Sequence, residues 1–399
     1  MRHSPRPFDV VHVSSAHPWT DNRVHQRSAA SAAAAGYRTA LIAVATVGHP
    51  PNTDWDVPDR STGVYVLRLP QRSRKARIVI STFQAVRAAV ASRARIVHLH
   101  DPELVWAIPL LRAASRSVVY DAHEDLPVQV RGKEYLPGFA KRIAEILAKG
   151  LVLVAGHADA IVAATPAVAR RFPDQRTTVV RNVPRFRPSD DAPPPMSERP
   201  LRAVYLGALS RDRGIDVLAG VAASELPHGW RVVTAGPVDR AVDGRLFDAA
   251  RRSGRIDHRG TLDPEGARDL LLEARVGLLP LFLTDAYAVS IPTKLFEYWA
   301  AGLAVIASDT PAWRELLRGV ECVSWVPAGD PAAIVRALHQ YNDSPELLQR
   351  HADAGHALVR EHYRWDAESA RLLDIYAGIF GTTPTAGLVP GGGEERTRG

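Results

Sequence analysis

A single cysteine, Cys322, in 399 residues excludes an intramolecular disulfide and a cysteine-rich metal site, and suits a reducing cytoplasm. No apolar run approaches the roughly 20 residues that cross a bilayer. The N-terminal MRHSPRPFDVVHVSS enters a strand without a signal peptide's apolar core and small-residue cleavage site. The opening strand-loop-helix-strand pattern lacks the GxGxxG fingerprint of dinucleotide-binding folds. Basic runs interleaved with aromatic residues are also missing, which argues against nucleic acid as a partner.

What is present describes a two-core globular chain. Its hydrophobic content is 46% and its charged content 23%, and 399 residues exceed one ordinary core. The net charge of +7 is unevenly spread. Residues 1–190 hold 27 Lys and Arg against 15 Asp and Glu; the remainder holds 23 against 28. The basic half suits an anionic partner, and its densest run, Arg72, Arg74, Lys75 and Arg77, leads into an apolar helix. This predicts a cytoplasmic protein able to touch the anionic inner face of the membrane peripherally through its N-terminal domain.

Strand and helix patterns alternate through residues 1–184, pause in the proline-rich stretch 185–200, and resume over 201–365. A helix at 366–381 is placed to cross back to the first domain, and the Gly- and Pro-rich tail 382–399 reads as disordered. The expected fold class is α/β: two Rossmann-like, doubly wound domains facing each other across a cleft, with ligands at the carboxyl ends of the strands.

The most informative stretch is SIPTKLFEYWAAGLAVIASD, Ser290–Asp309. It reads as a capped turn, a short helix ending near Gly302 and a buried strand. Ser290, Thr293, Lys294 and Glu297 fall three and four apart and share one helix face. A phosphate could meet the helix N-terminus and Lys294 while sugar hydroxyls meet Glu297; a surface ion pair between Lys294 and Glu297 is the plainer alternative. The loop GALSRDRGID adds Arg211 and Arg213 before a helix. In the first half, HLHDPEL brings His98, His100 and Asp101 to a strand end, and YDAHEDLP brings Asp121, His123 and Glu124. A metal site from His100, Asp101, His123 and Glu124 is chemically open, but its spacing matches no metal motif. His98 reads as a core residue, and His123 as a loop residue beside two carboxylates.

Together these stretches resemble the retaining glycosyltransferases of family 4 (group 1), which have the GT-B fold, in a branch serving bacterial surface polysaccharides. The segments VHVSSAHPWTDNRVHQRSAASAAAAGY, IVHLHDPELVWAIPLL, VVYDAHEDLP, YLGALSRDRGI, HRGTLDPEGARDLLLEARVGLLPL and IPTKLFEYWAAGLAVIASD carry the resemblance.

The resemblance implies a metal-independent transfer of a hexose-type sugar from a nucleoside diphosphate to a hydroxyl acceptor, with retention, and no cofactor. It assigns Arg213 to the diphosphate, His123 to the donor sugar and Glu297 to the donor ribose; Lys294 joins His123 and Arg213 as a catalytic candidate, and Ser290, Thr293, Gly207 and Gly260 join Glu297 as donor-binding candidates. His17, Asp21, His100, Asp101 and Glu124 are acceptor-side candidates, with His17 a general base in an inverting variant. The chain departs from the family at Val289, where a first glutamate belongs, and at Ala208, where a diphosphate arginine belongs; Lys294 is expected to supply that charge. Two alternatives are a nucleotide-sugar epimerase or hydrolase on the same fold, and a degenerate sugar-nucleotide-binding subunit.

Overall fold

The computed structural model describes residues 7–55, 57–131, 137–187, 190–239, 242–284 and 293–381. Ser290, Val289 and the tail 382–399 lie outside the described residues. Two compact units emerge. One groups the chain up to Pro127 with Arg142–Arg181 and the stretch from Ala367 on; the other groups Val128–Lys141 with Asn182–Asp366.

The first unit is built on seven parallel strands: β1 (Val10–Pro18), β2 (Thr39–Val44), β3 (Tyr65–Leu69), β4 (Ile96–Leu99), β5 (Ser117–Ala122), β6 (Ala160–Ala163) and β7 (Thr177–Val179). Their order is β3-β2-β1-β4-β5-β6-β7. The chain therefore reverses its winding between β1 and β4, where Val10 to Val13 lie beside Ile96 to Leu99. Loops diverge at such a reversal and leave a crevice at the carboxyl ends. Runs such as TALIAV in β2 are buried throughout, as expected of strands covered on both faces.

The second unit repeats this plan with β8 (Arg202–Leu206), β9 (Arg231–Ala235), β10 (Ile256–His258), β11 (Val276–Leu279), β12 (Ala304–Ser308) and β13 (Val323–Val326), ordered β10-β9-β8-β11-β12-β13. Its reversal lies between β8 and β11. The short edge strand β13 and the helix Arg245–Arg252 were not anticipated from the sequence. Four residues of β13, half of them only partly covered, and an Arg-rich helix both lack a long hydrophobic period.

The proline-rich stretch is fastened to the second unit. Phe186 and Met196 are buried, Asp190 pairs with Arg268, and the Arg199 guanidinium donates to the carbonyls of Pro194 and Ala274. The helix Trp365–Phe380 returns to the first unit, where the Tyr376 hydroxyl lies 2.6 Å from His98 Nδ1.

The helix Thr293–Ala300 is keyed into the second unit by its apolar side. Leu295, Phe296, Tyr298 and Trp299 are buried. The Tyr298 hydroxyl accepts from the Leu206 amide in β8 at 3.0 Å, and its ring lies over Gly277 of β11. Trp299 packs on Gly355 of the helix Pro345–His362, where a Cβ would overlap the indole. Gly355→Ala should therefore cost about 1–3 kcal/mol by overpacking. Urea denaturation of the variant would check this, and an unchanged midpoint would contradict it.

Candidate functional site

At the reversal of the first unit, β1 ends in Ser14-Ser15-Ala16-His17 and β4 runs into His100-Asp101. Asp101 is 1% exposed and anchors the turn. Its Oδ2 accepts from the Ser15 and Ala16 amides at 2.5 and 3.0 Å and from the Ser14 hydroxyl at 3.0 Å. Its Oδ1 lies 2.9 Å from His17 Nδ1. Burial would raise the Asp101 carboxyl, but His17 and these donors outweigh it and hold the value at about 2. For His17, burial would lower the imidazole, yet the Asp101 hydrogen bond and charge, with Asp21 and Asp121 farther off, lift it to about 9. His17 is therefore an imidazolium at neutral pH. Asp101 thus orients the His17 ring and favours its protonated form.

Asp121, at the end of β5, is the second buried carboxylate. Arg23 grips it in a fork, Nη2 at 2.6 Å from Oδ1 and Nε at 3.1 Å from Oδ2. His100 Nδ1 and His123 Nε2 each lie 3.2 Å from Oδ2. Burial again opposes ionisation, and Arg23 followed by His123 and His100 holds the carboxyl well below its ordinary value. Asp21 is spent locally: its carboxylate caps the helical turns Asn22–Ala29 by accepting from the Arg23 and Val24 amides.

Behind this front, His12, His98 and His100 stack, with ring centroids 4.4–5.2 Å apart. Burial lowers all three; His100 repels His12 and His98 further down, and His123 does the same to His100 against the opposing pull of Asp121. Their ring nitrogens lie within 4.8 Å of one another, with His12 Nδ1 2.9 Å from His100 Nε2, so this buried trio could also hold a metal ion. The tetrad of His100, Asp101, His123 and Glu124 does not assemble. Asp101 turns to His17 and Ser15, Asp121 takes its place beside His100 and His123, and Glu124 is exposed. A His100–Asp121–His123 cluster does converge, but its carboxylate already carries the Arg23 guanidinium.

In the second unit, Gly207, Gly236 and Gly260 follow three adjacent strands. The Gly207 amide donates to the Ala235 carbonyl and the Gly236 amide to the Gly260 carbonyl, both at 2.7 Å. Gly207 has φ +137°, and a Cβ there would overlap Lys294 Cε, so only glycine lets the lysine lie across the strand end. Lys294 and Glu297 are half-buried on the face of Thr293–Ala300 opposite its apolar key. Burial lowers the Lys294 ammonium, nearby Arg213 lowers it further, and Glu297 partly offsets both. Lys294, Arg213, Glu297 and Gly207 are thus brought together, whereas Gly260 sits two strands away. Thr293 begins the described part of the helix.

The chain matches the family description "Glycosyl transferase 4-like domain" over residues 22–185 and "Glycosyl transferase-like" over residues 217–374. The chain belongs to the group 1, family-4-type glycosyltransferases. A phosphatidyl-myo-inositol mannosyltransferase of Mycobacterium leprae is 31% identical over 140 residues, 35% of this chain and 34% of the relative. A D-inositol 3-phosphate glycosyltransferase of Streptomyces coelicolor is 28% identical over 100 residues, 25% of this chain and 22% of the relative. The aligned stretches thus span about a third or less of these relatives' length.

Among solved structures, the sucrose-phosphate synthase of Thermosynechococcus elongatus superposes with a TM-score of 0.70 at 18% identity, covering 93% of this chain and 99% of that one. The lipopolysaccharide glycosyltransferase WaaG superposes at 0.64 with 14% identity, covering 93% and 100%. Anabaena Alr3699/HepE in complex with UDP and glucose gives 0.62 at 12%, covering 92% and 98%. These likenesses establish the GT-B glycosyltransferase fold for both units.

Sequence reasoning missed Arg23, Ser14, Ser15, Glu103 and Tyr376 as members of the site network. Arg23 reaches Asp121 across 98 positions and Tyr376 reaches His98 across 278, separations with no local signal. The His17–Asp101 pair makes a pH prediction. The imidazole stands at 6.5 when free and about 9 when folded, so folding favours its protonated form. That contribution is fully present below pH 6.5 and is lost as pH rises through about 9. His17→Gln should melt below wild type at acidic and neutral pH, with the gap closing above pH 9; a pH-independent gap would contradict the assignment.

Proposed function

We propose that this chain moves a hexose-type sugar from a nucleoside-diphosphate donor to a hydroxyl acceptor, retaining anomeric configuration and using no metal ion. One observation carries the reading. Lys294 and Arg213, two cations that repel one another, converge beside the Cβ-less Gly207, with Glu297 on the same helix face. Like charges held together at a strand end are relieved by an anion, and a diphosphate supplies it.

Breaking the sugar–phosphate bond builds negative charge on the leaving diphosphate, which Lys294 and Arg213 stabilise in place of a divalent cation. Glu297 accepts from ribose hydroxyls, and Ser290, Thr293, Gly207 and Gly260 belong to the donor-binding set. His123 hydrogen-bonds the transferring sugar. A leaving phosphate oxygen takes the acceptor's proton on the face it departs from, which retains configuration. The HepE complex, with UDP and glucose bound, supports a nucleotide-sugar donor, and the mannosyltransferase relatives support a hexose.

Lys294→Ala should lower kcat by about 10²–10³, the usual effect of losing one charge-stabilising contact in the transition state. Thermal-shift screening of nucleoside diphosphates and their sugars identifies the donor, and product NMR reads the anomeric outcome. Inversion, or activity abolished by EDTA, would overturn the mechanism. Donor consumption without an acceptor would favour an epimerase or hydrolase, and binding without turnover a degenerate subunit.

A second reading concerns location. Among the described residues no helix is long and apolar enough to cross a membrane. On the turns Arg77–Ser81 and the helix Thr82–Ala91, however, Val79 and Phe83 are 70% and 64% exposed. They adjoin exposed Arg74, Lys75 and Arg87. Apolar side chains flanked by cations suit the surface of an anionic bilayer. Phe83→Asp should weaken co-sedimentation with phosphatidylglycerol vesicles while leaving transfer to a soluble acceptor intact. Equal sedimentation of variant and wild type would remove this reading.

A further inference from the structure

Three nitrogen–carboxylate pairs at the carboxyl ends of the first unit's strands share one orientation. His17 is 33% exposed over Asp101 at 2%, Arg77 is 29% over Glu103 at 14%, and His123 is 21% over Asp121 at 1%. In each, the nitrogen-bearing side chain faces outward and the carboxylate lies beneath. The pairs form one surface: the His17 and His123 ring centroids are 5.5 Å apart, and Ser15 links Asp101 to Glu103 through its hydroxyl at 3.2 and 2.9 Å.

The carboxylates fix their partners' free donors. Nδ1 of His17 is engaged by Asp101, so its Nε2 is the atom turned outward, and among the described residues it has no hydrogen-bond partner. The Arg77 guanidinium is anchored at 2.9 Å by Nε, with Nη2 at 3.3 Å from Glu103. Asp21, the other nearby acid, is occupied as a helix cap. With the His17 ring protonated, its outward Nε2–H and the Arg77 guanidinium are donors held in place over carboxylates, an arrangement suited to a tetrahedral oxyanion.

We propose that His17 Nε2–H and Arg77 bind a phosphate ester carried by the acceptor, beside the hydroxyl that receives the sugar. Calling that molecule the acceptor rests on the glycosyl-transfer reading; the anion site itself does not. His17 and Arg77 are then specificity-determining residues that select phosphorylated over neutral acceptors.

The test uses the full chain labelled with ¹⁵N-histidine, with the His17 ring signal assigned by its loss in His17→Gln. Glycerol 3-phosphate should shift the His17 and His123 signals saturably, and glycerol should not. Arg77→Gln should weaken that binding at least about tenfold, the effect of losing one charge-assisted hydrogen bond. His17→Gln, read at His123, should weaken it similarly, while Lys294→Ala should leave it unchanged. Vesicles of phosphatidylglycerol against phosphatidylcholine form a second arm. A response to glycerol 3-phosphate assigns a soluble ester; a response to phosphatidylglycerol alone assigns a lipid headgroup, and either supports the proposal. A His17 signal unmoved by both, or moved equally by glycerol, overturns it. If no nucleoside diphosphate shifts the melting temperature while glycerol 3-phosphate still moves His17, the donor reading fails and the anion site stands.

Discussion

A carboxylate taken out of water at a strand end costs several kcal/mol unless positive charge and hydrogen bonds surround it. Asp101 and Asp121 impose that requirement on the first unit. Asp101 draws the end of β1 into a turn whose amides and hydroxyls point at it, and it holds His17 as an imidazolium. Asp121 draws in Arg23 from the first helical turns and orients His100 and His123. Removing Asp121 would strand the buried Arg23 guanidinium, and removing Asp101 would release the turn at the end of β1. The polar network therefore acts as one unit in placing donors at the surface.

The second unit solves the opposite problem. There, burial and the nearby Arg213 lower the Lys294 ammonium, and Glu297 partly offsets them. The geometry depends on packing rather than pairing: Tyr298 reaches between β8 and β11, Trp299 beds against Gly355, and Lys294 lies across the space that a side chain on Gly207 would fill. Each unit thus places its chemistry where its sheet reverses winding. The first does so by satisfying buried acids, and the second by keying a helix whose opposite face bears Lys294 and Glu297.

Much of the fold was legible in the pattern. Unbroken apolar runs such as TALIAV and the strand after Gly302 marked parallel strands, and the restart of alternation after the proline-rich stretch marked a second sheet. The Lys294–Glu297 face followed from helical spacing alone. The first unit's network was less readable. Asp101, Asp121, His123 and His17 were picked out one by one, but their pairing, and Arg23 as a partner of Asp121, were not. His17 was a candidate base from its place near the end of β1; its link to Asp101, which orients the ring and favours its protonated form, was not legible.

By itself, then, the sequence determined the alternating two-sheet architecture, the family and the helix face that carries Lys294 and Glu297, because periodicity and short motifs are local properties. The tertiary structure alone decided that Arg23 would neutralise Asp121, that Asp101 would accept from His17 and favour its protonated form, and that Tyr376 would return to His98. Those outcomes depend on which strand ends become neighbours after the chain reverses, and on how much water burial removes from each charge.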